Sequence, residues 1–187
     1  MKQVLFVLIT VSMFLQGFSD ETINGVNVPS KLKTSNTELT LNGAGIRKKA
    51  FFKVYVLGLY LKSKSKNADE IIKANEEMAV RLQITSSVVS SSNMSEAIRE
   101  GFEKSLKGNV ASLKSKIDGF IQIFSKDKIK EGDVFLLDYV PGVGIKSFKN
   151  GKQLATTEGE DFKNALFGIW LSANPVDAGL KTALLGN

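Results

Sequence analysis

The stretch LNGAGIRKKAFFKVYVLGLYL, residues 41–61, carries the most structural information in this sequence. Its second half is dense in aromatic and branched residues, which is typical of a β-strand. Side chains alternate along a strand, so Lys53, Tyr55 and Leu57 should share one face, while Val56 and Tyr60 occupy the other. Because both faces are mostly apolar, we predict a central strand that is covered on both sides. A lysine and a tyrosine on such a face require a polar partner, a route to water or a ligand.

The first half of the same stretch contains two glycines and an arginine. Gly43 and Gly45 follow the strand-like residues ELTLN and are predicted to form a turn that ends that strand. They lack a third glycine and a following helix, so they are not predicted to be a phosphate-binding loop. Arg47 stands between this turn and the central strand, near apolar walls. A guanidinium there favours a carboxylate or enolate partner, but from the residue type alone a salt bridge to one of the protein's own acids, or simple exposure, is the preferred interpretation.

Downstream, strands and helices are predicted in blocks: a helix over 68–75, a strand over 78–89, two helices over 93–124, strands from 132 with a hairpin turn at 150–151, and two helices from 162. Asn93, with Glu96 three residues later, is predicted to cap the first of the paired helices. The chain shows no internal repeat and no linker. This order predicts a single α+β domain, in which helices pack on one face of a mostly antiparallel sheet.

Composition excludes several kinds of chemistry. The 187 residues include no histidine and no cysteine, which excludes zinc fingers, thiol nucleophiles, disulfides and serine-histidine-acid triads. No metal or cofactor is predicted, and the serines over 86–92 are interpreted as a polar loop that caps the next helix. The formal net charge is +6, but the lysines are spread along the chain, so nucleic acid is not predicted as a partner.

The first 19 residues have the pattern of a signal peptide. One lysine precedes the apolar run 4–15, and the small residues Gly17 and Ser19 follow it. This run is too short to span a bilayer, which needs about 20 residues, so a membrane anchor or a buried helix is the weaker interpretation. We expect cleavage near Ser19, a mature domain of residues 20–187 without a transmembrane segment, and a periplasmic or secreted location.

Two segments resemble the chalcone isomerase superfamily. In that superfamily a glycine-rich turn and an arginine precede a strand ending in Gly-x-Tyr-Leu, as in residues 41–61. The segment FGIWLSANPVDAGLKTALLG, residues 167–186, is similar to the C-terminal helices of the exported bacterial chalcone isomerase-like members. The resemblance implies an open-faced β-sandwich of chalcone isomerase type, with a large antiparallel sheet, a layer of helices and a ligand cleft between them.

The same resemblance implies roles for individual residues. Arg47 stands where the enzymes that cyclise chalcones have the arginine that stabilises the phenolate and enolate. Tyr55 replaces a threonine that polarises the substrate ketone, Met94 replaces a tyrosine that holds a catalytic water, and Gly101 replaces an asparagine. These replacements remove hydrogen-bond donors that cyclisation needs. The pair of arginine and tyrosine instead resembles the fatty-acid-binding branch, in which the two groups hold a carboxylate.

We therefore expect a non-catalytic protein that binds a fatty acid or a similar small amphipathic anion. Arg47 and Tyr55 would hold the head group, Lys53 would add charge and Met94 would line the cleft. The enzyme alternative is an isomerase of the intramolecular lyase type, acting on an unsaturated carbonyl compound with Arg47 as enolate stabiliser and Tyr55 as proton donor. A second alternative is a protein-interaction module whose cleft is filled by its own side chains. The sequence does not set the oligomeric state.

Overall fold

The fold is that of a computed structural model, which describes residues 19–125 and 127–187. Its strands are β1 (Glu21–Ile23), β2 (Val26–Val28), β3 (Lys31–Lys33), β4 (Glu38–Lys49), β5 (Phe52–Leu61), β6 (Met78–Ile84), β7 (Val134–Val140), β8 (Gly144–Lys149) and β9 (Lys152–Thr157). Its α-helices are α1 (Ala68–Lys73), α2 (Ser91–Ser105), α3 (Lys114–Ser125), α4 (Glu160–Leu171) and α5 (Ala178–Leu184). The predicted signal segment lies outside the described residues except for Ser19. None of the helices described is long and apolar enough to cross a membrane.

Strands β3 to β9 form one antiparallel sheet in which every strand pairs with its neighbour in the sequence. Leu57 and Leu59 of β5 belong to the large core shared with the helices. Val56 and Tyr60 belong to a smaller core beneath the β1–β2 hairpin, which covers part of the other face. The predicted central strand with two buried faces is therefore confirmed.

The two glycines of the opening motif lie inside a strand, and the prediction of a turn there is wrong. Strand β4 continues through Gly43 and Gly45 as far as Lys49, and the turn comes only at residues 50–51. Helix α5 explains the glycines: a Cβ atom on Gly43 would lie 2.2 Å from the Ala183 carbonyl oxygen, and one on Gly45 would lie 2.8 Å from the Ala183 Cβ. They are needed because helix and strand backbones approach closely.

A β-bulge changes the faces at the start of β5. Arg47 is opposite Tyr55, but Lys48 is opposite Lys53, so β5 contains one more residue than β4 at Val54. Val54 and Tyr55 both border the space beneath the helices. Lys53 instead donates a hydrogen bond to Asn24 Oδ1 at 2.9 Å, on the hairpin side. The prediction that Lys53 and Tyr55 share a face is therefore wrong.

Helix α2 begins earlier than predicted. Its N-cap is Ser90, whose hydroxyl accepts from the Asn93 N–H, while the Asn93 side chain accepts from the Ser90 N–H in a reciprocal capping box. Asn93 is thus the third residue of the helix and not its cap. Strand β6 correspondingly ends at Ile84 and not at 89. The serine-rich segment does cap the helix, as predicted.

Lys163 of α4 is fully buried and connects α4 to the end of α1. Its ammonium donates to the carbonyl oxygens of Ile72 at 2.8 Å and Ala74 at 2.7 Å, and lies 5.0 Å from the centre of the Tyr139 ring. Burial lowers the pKa of Lys163 to about 8, against an opposing effect of Glu160. These contacts hold α1 in place at the C-terminal end of β5.

We expect the pKa of Lys163 to give the protein a measurable pH dependence of stability. An unfolded lysine titrates near 10.5, so between about pH 8 and that value the unfolded chain binds a proton that the folded protein has lost. The free energy of unfolding should therefore rise with pH across this window. Urea unfolding of the wild type and of Lys163→Met should show the wild type gaining stability relative to the variant as pH rises. A difference that stays constant or shrinks would contradict this assignment.

Candidate ligand-binding site

A cavity of about 380 Å³ lies between the sheet and the helix layer. This volume falls in the range of small-molecule sites, roughly 300–1,000 Å³. Most of its wall is apolar and comes from three strands, β5 to β7, and three helices, α2 to α4, with residues that include Val54, Leu82, Met94, Ile98, Phe120, Phe124, Leu137, Leu166 and Ile169. Its polar side chains are Arg47, Lys49, Tyr55, Asn93, Glu100 and Trp170. The cavity therefore combines a largely hydrocarbon wall with a few polar groups.

Tyr55 and Trp170 form the buried polar contact of this site. Trp170 Nε1 donates to the Tyr55 hydroxyl oxygen at 3.0 Å, and both residues are buried. Burial raises the pKa of Tyr55, although the Trp170 hydrogen bond and the nearby charge of Arg47 act in the opposite direction. The phenol is therefore neutral at physiological pH. Among the described residues no hydrogen bond uses its O–H as donor, so that proton is available to an acceptor in the cavity.

Arg47 is the charged group next to this phenol. It lies directly opposite Tyr55 in the β4–β5 register, which places both side chains on the same face of the sheet. Its guanidinium contacts the Lys48 carbonyl oxygen and lies 3.4 Å from Asp177 Oδ2. Arg47 thus does form a salt bridge to one of the protein's own acids, which was one of the predicted alternatives. Because this ion pair is long, other N–H donors of the planar guanidinium remain for a ligand.

Asp177 is also the N-cap of α5. Its Oδ1 accepts from the Leu180 N–H at 3.0 Å as the N-cap, and its Oδ2 accepts from the Lys48 N–H at 3.2 Å. Burial raises the pKa of Asp177, but these two hydrogen bonds and Arg47 outweigh it, so the pKa lies below its ordinary value. Asp177 is therefore ionised, and its position beside β4 is fixed by backbone groups independently of Arg47.

The structure brings three of the four predicted site residues to the cavity. Arg47, Tyr55 and Met94 all line it. Lys53 does not, because the bulge at Val54 turns its side chain to the hairpin side. Gly101, the other position compared with the enzymes, packs against α4, where a Cβ would lie 2.9 Å from Ile169 Cγ2.

The site also contains Trp170 and Asp177, which were not among the predicted site residues. Trp170 lies within the helices predicted from 162, and its ring nitrogen gave no reason to expect a partner 115 residues away. Asp177 follows Pro175 and directly precedes α5, and an aspartate at such a position is typical of an N-cap. Its position next to Arg47 depends on how α5 packs on β4, which no local pattern shows.

Comparison with known proteins agrees with this architecture. A family model described as chalcone isomerase-like matches residues 20–186. The crystal structure of a fatty-acid binding protein from Arabidopsis thaliana is similar, with a TM-score of 0.72 and 16% sequence identity over 89% of this chain and 96% of that chain. At that identity the likeness concerns the fold alone, and it confirms the predicted α+β arrangement of an antiparallel sheet with helices. No curated protein matches the sequence.

Proposed function

Because this chain belongs to the chalcone isomerase-like family, we propose that it uses the family's cleft to bind a small amphipathic anion, of which a fatty acid is the simplest example. The observation that carries the proposal is the placing of Arg47 and Tyr55 side by side in a cavity whose wall is otherwise mostly hydrocarbon. A carboxylate would accept from the guanidinium and from the phenol O–H. The similar Arabidopsis structure is that of a fatty-acid binding protein, which supports the same choice of ligand.

Apolar contact would supply the rest of the affinity. Each methylene buried in the cavity contributes about 0.8 kcal/mol, so an alkyl chain gains affinity with length until the cavity is full. The head group would then fix the direction in which the chain enters. The open cavity also counts against the alternative of a cleft filled by the protein's own side chains.

Trp170 provides a direct test of this proposal. It is the only tryptophan in the sequence and borders the cavity, so its fluorescence reports on ligand entry. We expect dodecanoate to change the emission and to saturate, and dodecanol, which has the same chain and no charge, to bind at least tenfold more weakly. Trp170→Phe should abolish the signal and serves as the control. Equal binding of the two compounds, or binding of neither, would contradict the proposal.

Tyr55→Phe tests the phenol separately from the charge. The variant keeps the ring and removes one donor, so we expect the affinity for dodecanoate to fall about tenfold. The affinity for dodecanol should change less. Because Trp170 Nε1 loses its acceptor, the emission of the ligand-free variant should also differ from that of the wild type. Isothermal calorimetry gives both affinities, and an unchanged dodecanoate affinity would exclude Tyr55 from the head-group site.

The residues around the cavity support binding better than isomerase activity. Met94 presents a thioether where a hydroxyl would be required to hold a catalytic water, and a thioether is only a weak acceptor. Conversion of an unsaturated carbonyl compound would be seen as a loss of its absorbance. We expect no such change with a panel of chalcones and simpler enones, and turnover that Arg47→Ala removes would favour the enzyme alternative.

We also propose that the protein acts outside the cytoplasm. This rests on the signal-like pattern of residues 1–19, with cleavage near Ser19. N-terminal sequencing of the protein from the periplasm or the medium should begin at or near Asp20. Recovery of the uncleaved chain from the cytoplasm alone would contradict export.

A further inference from the structure

The turn between β4 and β5 exposes two aromatic rings to solvent. Phe51 is 101% exposed and Phe52 is 52% exposed, and Val88 in the loop before α2 is 46% exposed. Phe52 and Val88 also border the mouth of the cavity. We call these three residues the apolar tip. Burying a phenylalanine is worth about 1.5–3 kcal/mol in general, so an aromatic ring in water is a candidate for contact with another surface.

The backbone geometry of this turn does not require a phenylalanine at position 51. Lys49 pairs with Phe52, which leaves Ala50 and Phe51 as the two turn residues. Ala50 has a φ of 53°, in the left-handed region that favours glycine or asparagine. The other two-residue hairpin turns of the described chain use an Asn-Gly pair at 24–25 and 150–151. This turn thus has no glycine although its backbone at Ala50 favours one, and it exposes a phenylalanine that the turn itself does not need.

Positive charge surrounds the apolar tip. Lys48, Lys49 and Lys53 flank the turn and are exposed. Two acids of this region already have partners: Asp177 lies by Arg47 and caps α5, and Glu100, which lines the cavity, pairs with Lys104 at 3.2 Å. Three lysines around exposed aromatic rings match the surface of an anionic bilayer, in which the rings enter the interface and the lysines meet lipid head groups.

We propose that the apolar tip docks on bilayers that contain anionic phospholipid and brings the cavity mouth to the membrane surface. Phe51 inserts into the interface, while Lys48, Lys49 and Lys53 supply the electrostatic attraction. Membrane docking does not depend on the proposed ligand. Its consequence, exchange of an amphipathic anion between cavity and bilayer, does rest on the proposed function.

Vesicle sedimentation tests the docking directly. Protein lacking residues 1–19, which retains the whole described fold, is mixed with vesicles of phosphatidylcholine alone or of phosphatidylcholine with an equal amount of phosphatidylglycerol. We expect binding to the second kind only, with a loss on addition of salt. Phe51→Ser should weaken it about tenfold. Val88→Ser should weaken it as well, and Val143→Ser is the matched control for that variant, because Val143 is 41% exposed against 46% for Val88 but lies at the opposite end of the sheet, so it should have no effect.

A second pair of variants isolates the charge. Lys48→Gln with Lys53→Gln should weaken binding about fivefold for each lysine, whereas Lys62→Gln with Lys64→Gln, the same change in net charge at the other end of β5, should not. Absence of sedimentation with either vesicle, or equal losses in test and control variants, would overturn the proposal.

Dodecanoate affinity measured by Trp170 emission should remain unchanged in Phe51→Ser. A wild type that binds dodecanoate but neither kind of vesicle would overturn the docking proposal alone, and a wild type that binds the anionic vesicles but not dodecanoate would overturn the proposed function alone.

Discussion

Gly43→Ala is expected to lower the free energy of unfolding by roughly 3 kcal/mol. The added Cβ would lie 2.2 Å from the Ala183 carbonyl oxygen and 2.8 Å from that of Leu184, both of them backbone atoms of α5. A flexible side chain could move aside, but a helix backbone can yield only by displacing the whole of α5. That shift would also stretch the hydrogen bond from Asn42 Nδ2 to the Leu184 carbonyl oxygen, which is 2.7 Å long in a buried site.

The same substitution elsewhere in the chain is the control. Gly119 lies inside α3 with open space around its Cα, so Gly119→Ala should raise the free energy of unfolding by up to about 1 kcal/mol through helix propensity. Urea unfolding of both variants therefore compares one chemical change at two positions. If Gly43→Ala were as stable as the wild type, the close packing of α5 on β4 would be wrong.

Arg47→Ala is expected to lower the affinity for an alkyl carboxylate about hundredfold while leaving the affinity for the matching alcohol nearly unchanged. The guanidinium is the charged partner that the carboxylate would meet in the cavity, and hydrogen bonds to charged groups are worth about 1.5–3 kcal/mol each. Arg47→Lys should recover only part of the loss, because a single ammonium does not reproduce the planar fork. Calorimetric titration of the three proteins with dodecanoate and dodecanol measures these differences.

Asp177→Asn provides the opposite change at the same place. Asparagine is also a good N-cap, so α5 should persist, but the competing negative charge near Arg47 disappears. The affinity for the carboxylate should then stay the same or increase. A large decrease in this affinity would contradict the prediction, because it would mean that the carboxylate binds only when Asp177 holds Arg47.

Local sequence patterns predicted the elements because each pattern depends on near neighbours. Alternation in β5 and the Asn150-Gly151 turn both report contacts within a few residues, and the predicted order of strand and helix blocks is the one in the structure. The glycines of β4 were misassigned because their reason is α5, about 140 residues away. The start of α2 was misplaced by three residues because Ser90 and Asn93 both suit an N-cap.

The candidate site was predictable to the extent that it follows one strand face. Tyr55 could be placed on the same face as Leu57 by alternation, and in the structure this face packs against the helices. Lys53 could not, because the bulge at Val54 shifts the alternation, and a bulge is defined by pairing with another strand. Trp170 and Asp177 reach the site through tertiary packing, so only the structure places them beside Tyr55 and Arg47.

Arg47 is the residue by which we propose that the cavity holds the head group of an amphipathic anion. The most direct measurement is native mass spectrometry of residues 20–187 purified without detergent, beside Arg47→Ala, with extraction and identification of any bound lipid. We expect a fatty acid or similar anion on the wild type and its loss from the variant. An empty wild type that also fails to take up added fatty acids, or a lipid retained equally by both proteins, would contradict it.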